Sequence, residues 1–148
     1  EYAREYLQGK WDREGKTCEP KDLLPIAVGQ IRLENELAKV ASSVLICDTD
    51  LLETKVYSEA YYTGDCDPLL EKFALENTYD LYLLTNIDIP WVGDDLRDKP
   101  YERERMFDYF KRTLEKYHRN FVILKGNKQE RLAKAIAAID GLIVSKAK

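Results

Sequence analysis

The chain has 148 residues, of which 45% are hydrophobic and 34% charged, with 23 basic against 27 acidic side chains and a formal charge of −4. That length fits one ordinary domain. Sixteen aromatics and several aliphatic runs exclude disorder, the lack of any apolar run near ~18 residues excludes a membrane span, and the acidic balance lacks the clustered basic face of a nucleic-acid binder. Three cysteines, Cys18, Cys47 and Cys66, stand far apart with no C-x-x-C pair, which argues against a disulfide framework and a structural zinc site and favours a reducing cytosol. The first residue is Glu rather than Met, so a piece of a longer chain is expected, and residues 1–6 contain no apolar signal-peptide core.

Residues 11–20 are polar, with Gly9, Gly15 and Pro20 as breakers, and read as a connection. From Asp22, the positions Leu23, Ile26, Ala27, Gln30, Ile31, Glu34, Leu37, Ala38 and Ala41 fall at helical intervals, giving a face that is apolar except at Gln30 and Glu34. Pro25 is tolerated if Asp22 caps this helix. Residues 43–48, Ser-Val-Leu-Ile-Cys-Asp, form a short apolar run ending in an acid, which predicts a strand buried on both faces of a parallel sheet, with Cys47 a small core hydrophobe. Helices are expected over 51–62 and 69–77, a second strand over 80–85, a long amphipathic helix over 101–117 with Met106, Phe107, Phe110 and Leu114 on its apolar stripe, a third strand over 120–124 and a closing helix over 130–142.

Strands alternating with helices imply βαβ crossovers, hence an α/β fold with a parallel sheet and helices on both faces. Ligands of such sheets bind outside the carboxyl ends of the strands, here Asp48-Thr49-Asp50, Thr85-Asn86 with the loop that follows, and Lys125-Gly126-Asn127. An apolar strand ending in carboxylate is how nucleotide-binding α/β proteins set an acid beside magnesium and phosphates, although Asp50, directly before Leu51, also suits a helix cap. After the second strand, residues 86–98 bring an indole, several carboxylates and a guanidinium together. Arg97, Arg103 and Arg105 can close on phosphate oxygens, or, with Glu102, Glu104 and Asp98 beside them, Arg103 and Arg105 can lie on a solvated face. Glu1 and Arg4 can orient a hydroxyl nucleophile or be plain surface residues. No G-x-x-x-x-G-K-[ST] occurs, and His118, the single histidine, excludes a multi-histidine metal site and reads as a partner of a helix C-terminus or a surface residue.

Taken in order, E-Y-A-R-E-Y at 1–6, V-L-I-C-D-T-D at 44–50, Y-D-L-Y-L-L at 79–84 and I-P-W-V-G-D-D-L-R at 89–97 resemble the NadR-type ribosylnicotinamide kinase domain, a P-loop AAA-like kinase family of NAD metabolism. The resemblance covers essentially the whole chain. It implies a three-layer αβα parallel sheet of P-loop kinase type, one domain over 1–148, incomplete at its N-terminus because the first strand, phosphate loop and first helix are expected upstream, so that this stretch alone is expected to be inactive. It further implies ATP-dependent phosphorylation of the 5′-hydroxyl of nicotinamide riboside, with ATP as co-substrate, magnesium as cofactor, a cytoplasmic location, no membrane or nucleic-acid partner, and in many relatives a fused adenylyltransferase domain. By this resemblance Glu1, Arg4 and Gln30 face the nucleoside, Asp48 and Asp50 hold magnesium through water or help activate the hydroxyl, and the 91–97 loop acts as a lid. In that loop Trp91 offers a flat apolar surface, Asp94 accepts from a hydroxyl, and Arg97 carries charge to the transferring phosphoryl group. Relatives often read W-x-D-D-G-L-R where this chain has W-V-G-D-D-L-R. Asp94 keeps its place, but Gly93 replaces the first acid and Asp95 the glycine, so no role passes to Asp95. The readings from other classes are a nucleotide-binding regulatory module that turns over no nucleoside, and an inactive fragment of such a protein.

Overall fold

The computed structural model describes residues 2–62, 64–90 and 100–146. The chain divides into two compact units, Glu1–Asn77 and Thr78–Lys148.

The first unit is helical throughout its described length: α1 (Tyr2–Glu14), α2 (Pro20–Ala38), α3 (Leu51–Tyr61) and α4 (Pro68–Glu76). Helix α1 occupies part of the stretch expected to be a connection, and its residues carry no apolar periodicity. Its inward-facing group is Lys10, buried against the start of α2, where Nζ donates to Asp22 at 2.5 Å and to Glu19 at 2.6 Å. Burial alone would pull the lysine pKa down, yet the two carboxylates outweigh it and hold the ammonium charged far above its ordinary range. Helix α2 starts two residues before the expected Asp22. Glu19 is the cap and Asp22, at the third helical position, accepts from the Glu19 amide at 2.8 Å in a reciprocal capping box. Pro25 therefore lies one turn inside the helix rather than in its first turn. Gly29 lets α1 approach α2, since a Cβ there would run into the ring of Tyr2. Leu23 and Ala27 of α2, Leu51 of α3, and Leu70 and Ala74 of α4 form the core, with Cys18 and Cys66 packed against it. Burial pushes the thiols of Cys18, Cys47 and Cys66 up, so all three stay protonated and unreactive at neutral pH.

The strand expected over residues 43–48 does not form. The segment is irregular, Val44 is exposed, and Ile46 is 73% exposed. A doubly buried strand takes its stability from ladders on either side, and among the described residues no strand pairs with this run.

The second unit contains the parallel pair. Strand β1 (Tyr82–Thr85) runs beside β2 (Phe121–Leu124) in the register Tyr82 to Phe121 through Thr85 to Leu124. The crossover between them contains a 3₁₀ turn at Pro100–Glu102 and helix α5 (Arg103–Lys116), which buries Met106 and Leu114 from the expected stripe together with Thr113. It closes on His118 in the left-handed conformation (φ 52°), with the Arg119 amide donating to the Leu114 carbonyl at 2.8 Å. His118 is thus a helix terminator. Helix α6 (Lys128–Lys146) follows β2 and packs on it. Of the three expected strands two are present, so the architecture of the described residues is α-rich with a small parallel sheet.

Candidate functional site

In the first unit the chain enters α3 through Asp48, Thr49 and Asp50. Asp50 is the helix cap: its Oδ1 accepts from the Glu53 amide at 2.7 Å, and its carbonyl accepts from the Thr54 amide at 3.0 Å and the Thr54 hydroxyl at 2.9 Å. The capping alternative is therefore realised at Asp50, whereas the Asp48 carboxylate is exposed. Between them Thr49 sits at φ 70°. A β-branched residue is disfavoured there, so the turn stores on the order of 1–3 kcal/mol of strain that its surroundings must hold.

Part of that hold is Gln30. Its side chain belongs to a residue 5% exposed on α2, and Nε2 donates to the Thr49 carbonyl and to Glu34 Oε1, each at 3.0 Å. Both partners are acceptors, which fixes the orientation of the amide, since a flipped group would set oxygen against oxygen. Oε1 is buried and accepts no hydrogen bond from the described residues. A buried acceptor of this kind costs about 1–3 kcal/mol unless it receives a donor.

Glu53 was not legible as a site residue, and the geometry brings it in. Burial, then the charges of Asp50 and Asp48, push its carboxyl up to about 7, against the opposing pull of the Tyr57 hydroxyl and the Asp50 amide. The D-x-x-E spacing of Asp50 and Glu53 is a capping-box signal and was the clue available in the sequence.

Arg4 is exposed on the first turn of α1. Glu1, Trp91, Asp94, Asp95 and Arg97 lie outside the described residues. In the second unit, Arg103 Nη2 donates to the Ile87 carbonyl at 3.1 Å and the Ile89 carbonyl at 2.7 Å, while Arg105 pairs with Glu102 at 3.4 Å on an exposed face. Both guanidinium groups have partners within the protein. The third strand end is likewise occupied: the Gly126 amide donates to Asp88 at 2.6 Å, and Asn127 and Glu130 cap α6 reciprocally at 2.7 and 3.0 Å. Among the described residues no group of three His, Cys, Asp or Glu side chains can enclose a metal ion. No described helix is long and apolar enough to cross a membrane.

Comparison with known proteins gives a consistent answer. The chain is similar to the protein described as "Trifunctional NAD biosynthesis/regulator protein NadR" of Salmonella typhimurium and to the protein of the same description in Escherichia coli, each 29% identical over 97 residues. The match covers 66% of this chain and 23% of either relative, so the chain spans about a quarter of the proteins it matches. The sequence profile of the AAA domain family matches residues 1–131. The chain therefore belongs to the AAA domain family of P-loop proteins, and its similarity to the NadR proteins bears out the NadR-type kinase resemblance read from its motifs.

Proposed function

We propose that residues 1–148 belong to a single ATP-dependent nucleoside kinase domain that transfers a phosphoryl group to the 5′-hydroxyl of nicotinamide riboside, giving the mononucleotide. Membership of the AAA family supports nucleotide use, and the NAD biosynthesis named in the relatives' description supports the substrate class. The observation that carries the reading is the buried Gln30 amide beside the turn bearing Asp48, whose Oε1 accepts no hydrogen bond from the described residues. A nucleoside supplies donors in its hydroxyl and carboxamide groups.

In this reading Gln30, with Glu1 and Arg4, contacts the nucleoside. Asp48 holds magnesium through water or orients the 5′-hydroxyl, and Asp50 fixes the turn from which Asp48 projects. Bound magnesium supplies charge neutralisation on the phosphate oxygens. Residues 91–97 act as a lid, with Trp91 offering a flat apolar surface, Asp94 a hydroxyl acceptor and Arg97 a charge for the transferring phosphoryl group. Arg103 and Arg105 add charge near phosphate only if they release their present partners. The fold proposed with this function is the three-layer αβα sheet, of which the β1–β2 pair is one part, working in the cytoplasm beside a fused adenylyltransferase.

The test is to incubate the intact protein with ATP, magnesium and nicotinamide riboside. Formation of the mononucleotide is expected, and its absence under conditions where ATP binds would overturn the substrate assignment. The word "regulator" in the relatives' description favours one second reading, a nucleotide-binding regulatory module. Under that reading ATP binding or hydrolysis is indifferent to added riboside.

A further inference from the structure

The carboxyl edge of the β1–β2 pair carries two arginines, Arg131 and Arg103, that hold the segment leaving β1. Arg131, in the first turn of α6 with a side chain 12% exposed, donates from Nε to the Gly126 carbonyl at 2.9 Å and from Nη2 to the Asn86 carbonyl at 3.0 Å, and it pairs with the Asp88 carboxylate. Asp88 also accepts from the Gly126 amide at 2.6 Å; that bond, with the Arg131 charge, holds its carboxyl below the ordinary range. From the other side Arg103 donates to the carbonyls of Ile87 and Ile89. Three carbonyls of the segment leaving β1, those of Asn86, Ile87 and Ile89, thus have guanidinium donors from two different helices.

These carbonyls lie beyond the strand ladder, where a loop ordinarily leaves its backbone to water. A guanidinium presents its donors in a planar fork, so two or three simultaneous contacts fix both the position and the direction of what it holds. Arg131 uses that fork to join the loop after β1 to the loop after β2. Gly126 serves the same junction: its φ of 94° turns its amide toward Asp88, and a Cβ there would run into the Glu130 carboxylate.

We propose that Arg131 and Arg103 are positioning residues, which hold residues 86–89 in one conformation so that the strand edge where α/β proteins take their ligands is preorganised. The geometry of the clamp stands by itself, and its kinetic consequence rests on the kinase reading. Misplacement of about 1 Å at a site of phosphoryl transfer costs on the order of 10²-fold in rate, while ground-state nucleotide binding tolerates it better.

The experiment compares R131Q, R131K and R103Q with wild type in the intact protein, by hydrogen–deuterium exchange and by steady-state kinetics with ATP and nicotinamide riboside. Exchange over residues 86–89 is expected to be at least tenfold faster in R131Q and R103Q and unchanged over α3. The kcat is expected to fall at least tenfold with KM for ATP within about threefold. R131K keeps the charge opposite Asp88 without the fork, and is expected to fall between wild type and R131Q. Should R131Q fail to fold, R131K and R103Q make the same test. Unchanged exchange over 86–89 would overturn the clamp, and a lowered melting temperature with kcat intact would assign the arginines to stability alone and overturn the positioning role. Absence of mononucleotide from wild type would remove the kinase reading, while the exchange data would still decide the clamp.

Discussion

At the entry to α3 in the first unit, the Asp50 carboxylate caps the helix, the charges of Asp50 and Asp48 push Glu53 up, and the buried Oε1 of Gln30 accepts no hydrogen bond from the described residues. At the strand ends of the second unit, by contrast, Arg131, Arg103, Asp88 and the Gly126 amide all have partners. Burying polar groups is costly unless they are paired, and the paired edge is held in one conformation. The turn before α3 keeps Thr49 at a positive φ and Glu53 raised in pKa, polar strain that the strand edge lacks.

The largest expected effect breaks the electrostatic half of this contrast. Burial and the charges of Asp50 and Asp48 push the Glu53 carboxyl up from its ordinary 4.5 to about 7 in the folded protein. The folded state therefore binds the proton more tightly, and stability falls as pH rises from about 4.5 to about 7, staying at its reduced level above that. At about 1.4 kcal/mol per unit the cost is on the order of 3 kcal/mol. Glu53→Gln, which imitates the protonated carboxyl, is expected to stabilise the protein by about that amount at pH 8 and hardly at pH 5, read from denaturant unfolding. Equal unfolding midpoints for variant and wild type at pH 8 would show that the acids at this turn are not in conflict. The opposite limb belongs to Glu19, whose hydrogen bonds from Lys10 and Lys21 hold its carboxyl down at about 2. Its contribution is present above 4.5 and is lost as pH falls toward 2.

Next in size is the chemical half. Asp48→Asn removes the exposed carboxylate of the turn and is expected to lower turnover at least tenfold, about 1.4 kcal/mol, with the fold intact. Arg97→Ala is expected to act alike on turnover. Unchanged rates in both variants would withdraw those roles. Smaller again is the backbone term: Thr49→Gly relieves the positive φ and is expected to raise stability by about 1 kcal/mol, measured by thermal unfolding. A loss of stability would mean that the threonine side chain, and not strain, governs the turn.

Much of this contrast could be read before the structure, and what could not has identifiable causes. The helical face Leu23, Ile26, Ala27, Gln30 was legible because its period is local, and Gln30 stood out on it as a polar residue among apolar ones. The strand over 43–48 was misread because an apolar run reports burial preference but not whether a partner strand exists. Helix α1 was missed because its inward-facing residue is a lysine neutralised by Glu19 and Asp22, a pairing that no apolar period reveals. The Arg131 clamp joins residues 43 apart, and nothing in the local sequence at either end announces the other.

Gln30 supplies the smallest and most discriminating prediction. Replacing it by Met keeps the volume while deleting both the two hydrogen bonds of Nε2 and the orphan Oε1. Each lost bond costs about 1 kcal/mol, and removing an unsatisfied buried oxygen returns a similar amount, so stability is expected to change by less than about 1 kcal/mol. Function should not be so indifferent. If Oε1 receives a donor from the nucleoside, the substituted site loses that hydrogen bond, and KM for the riboside is expected to rise about tenfold with KM for ATP unchanged. A Gln30→Met protein that is much less stable yet binds riboside normally would show that the amide serves the fold rather than the nucleoside.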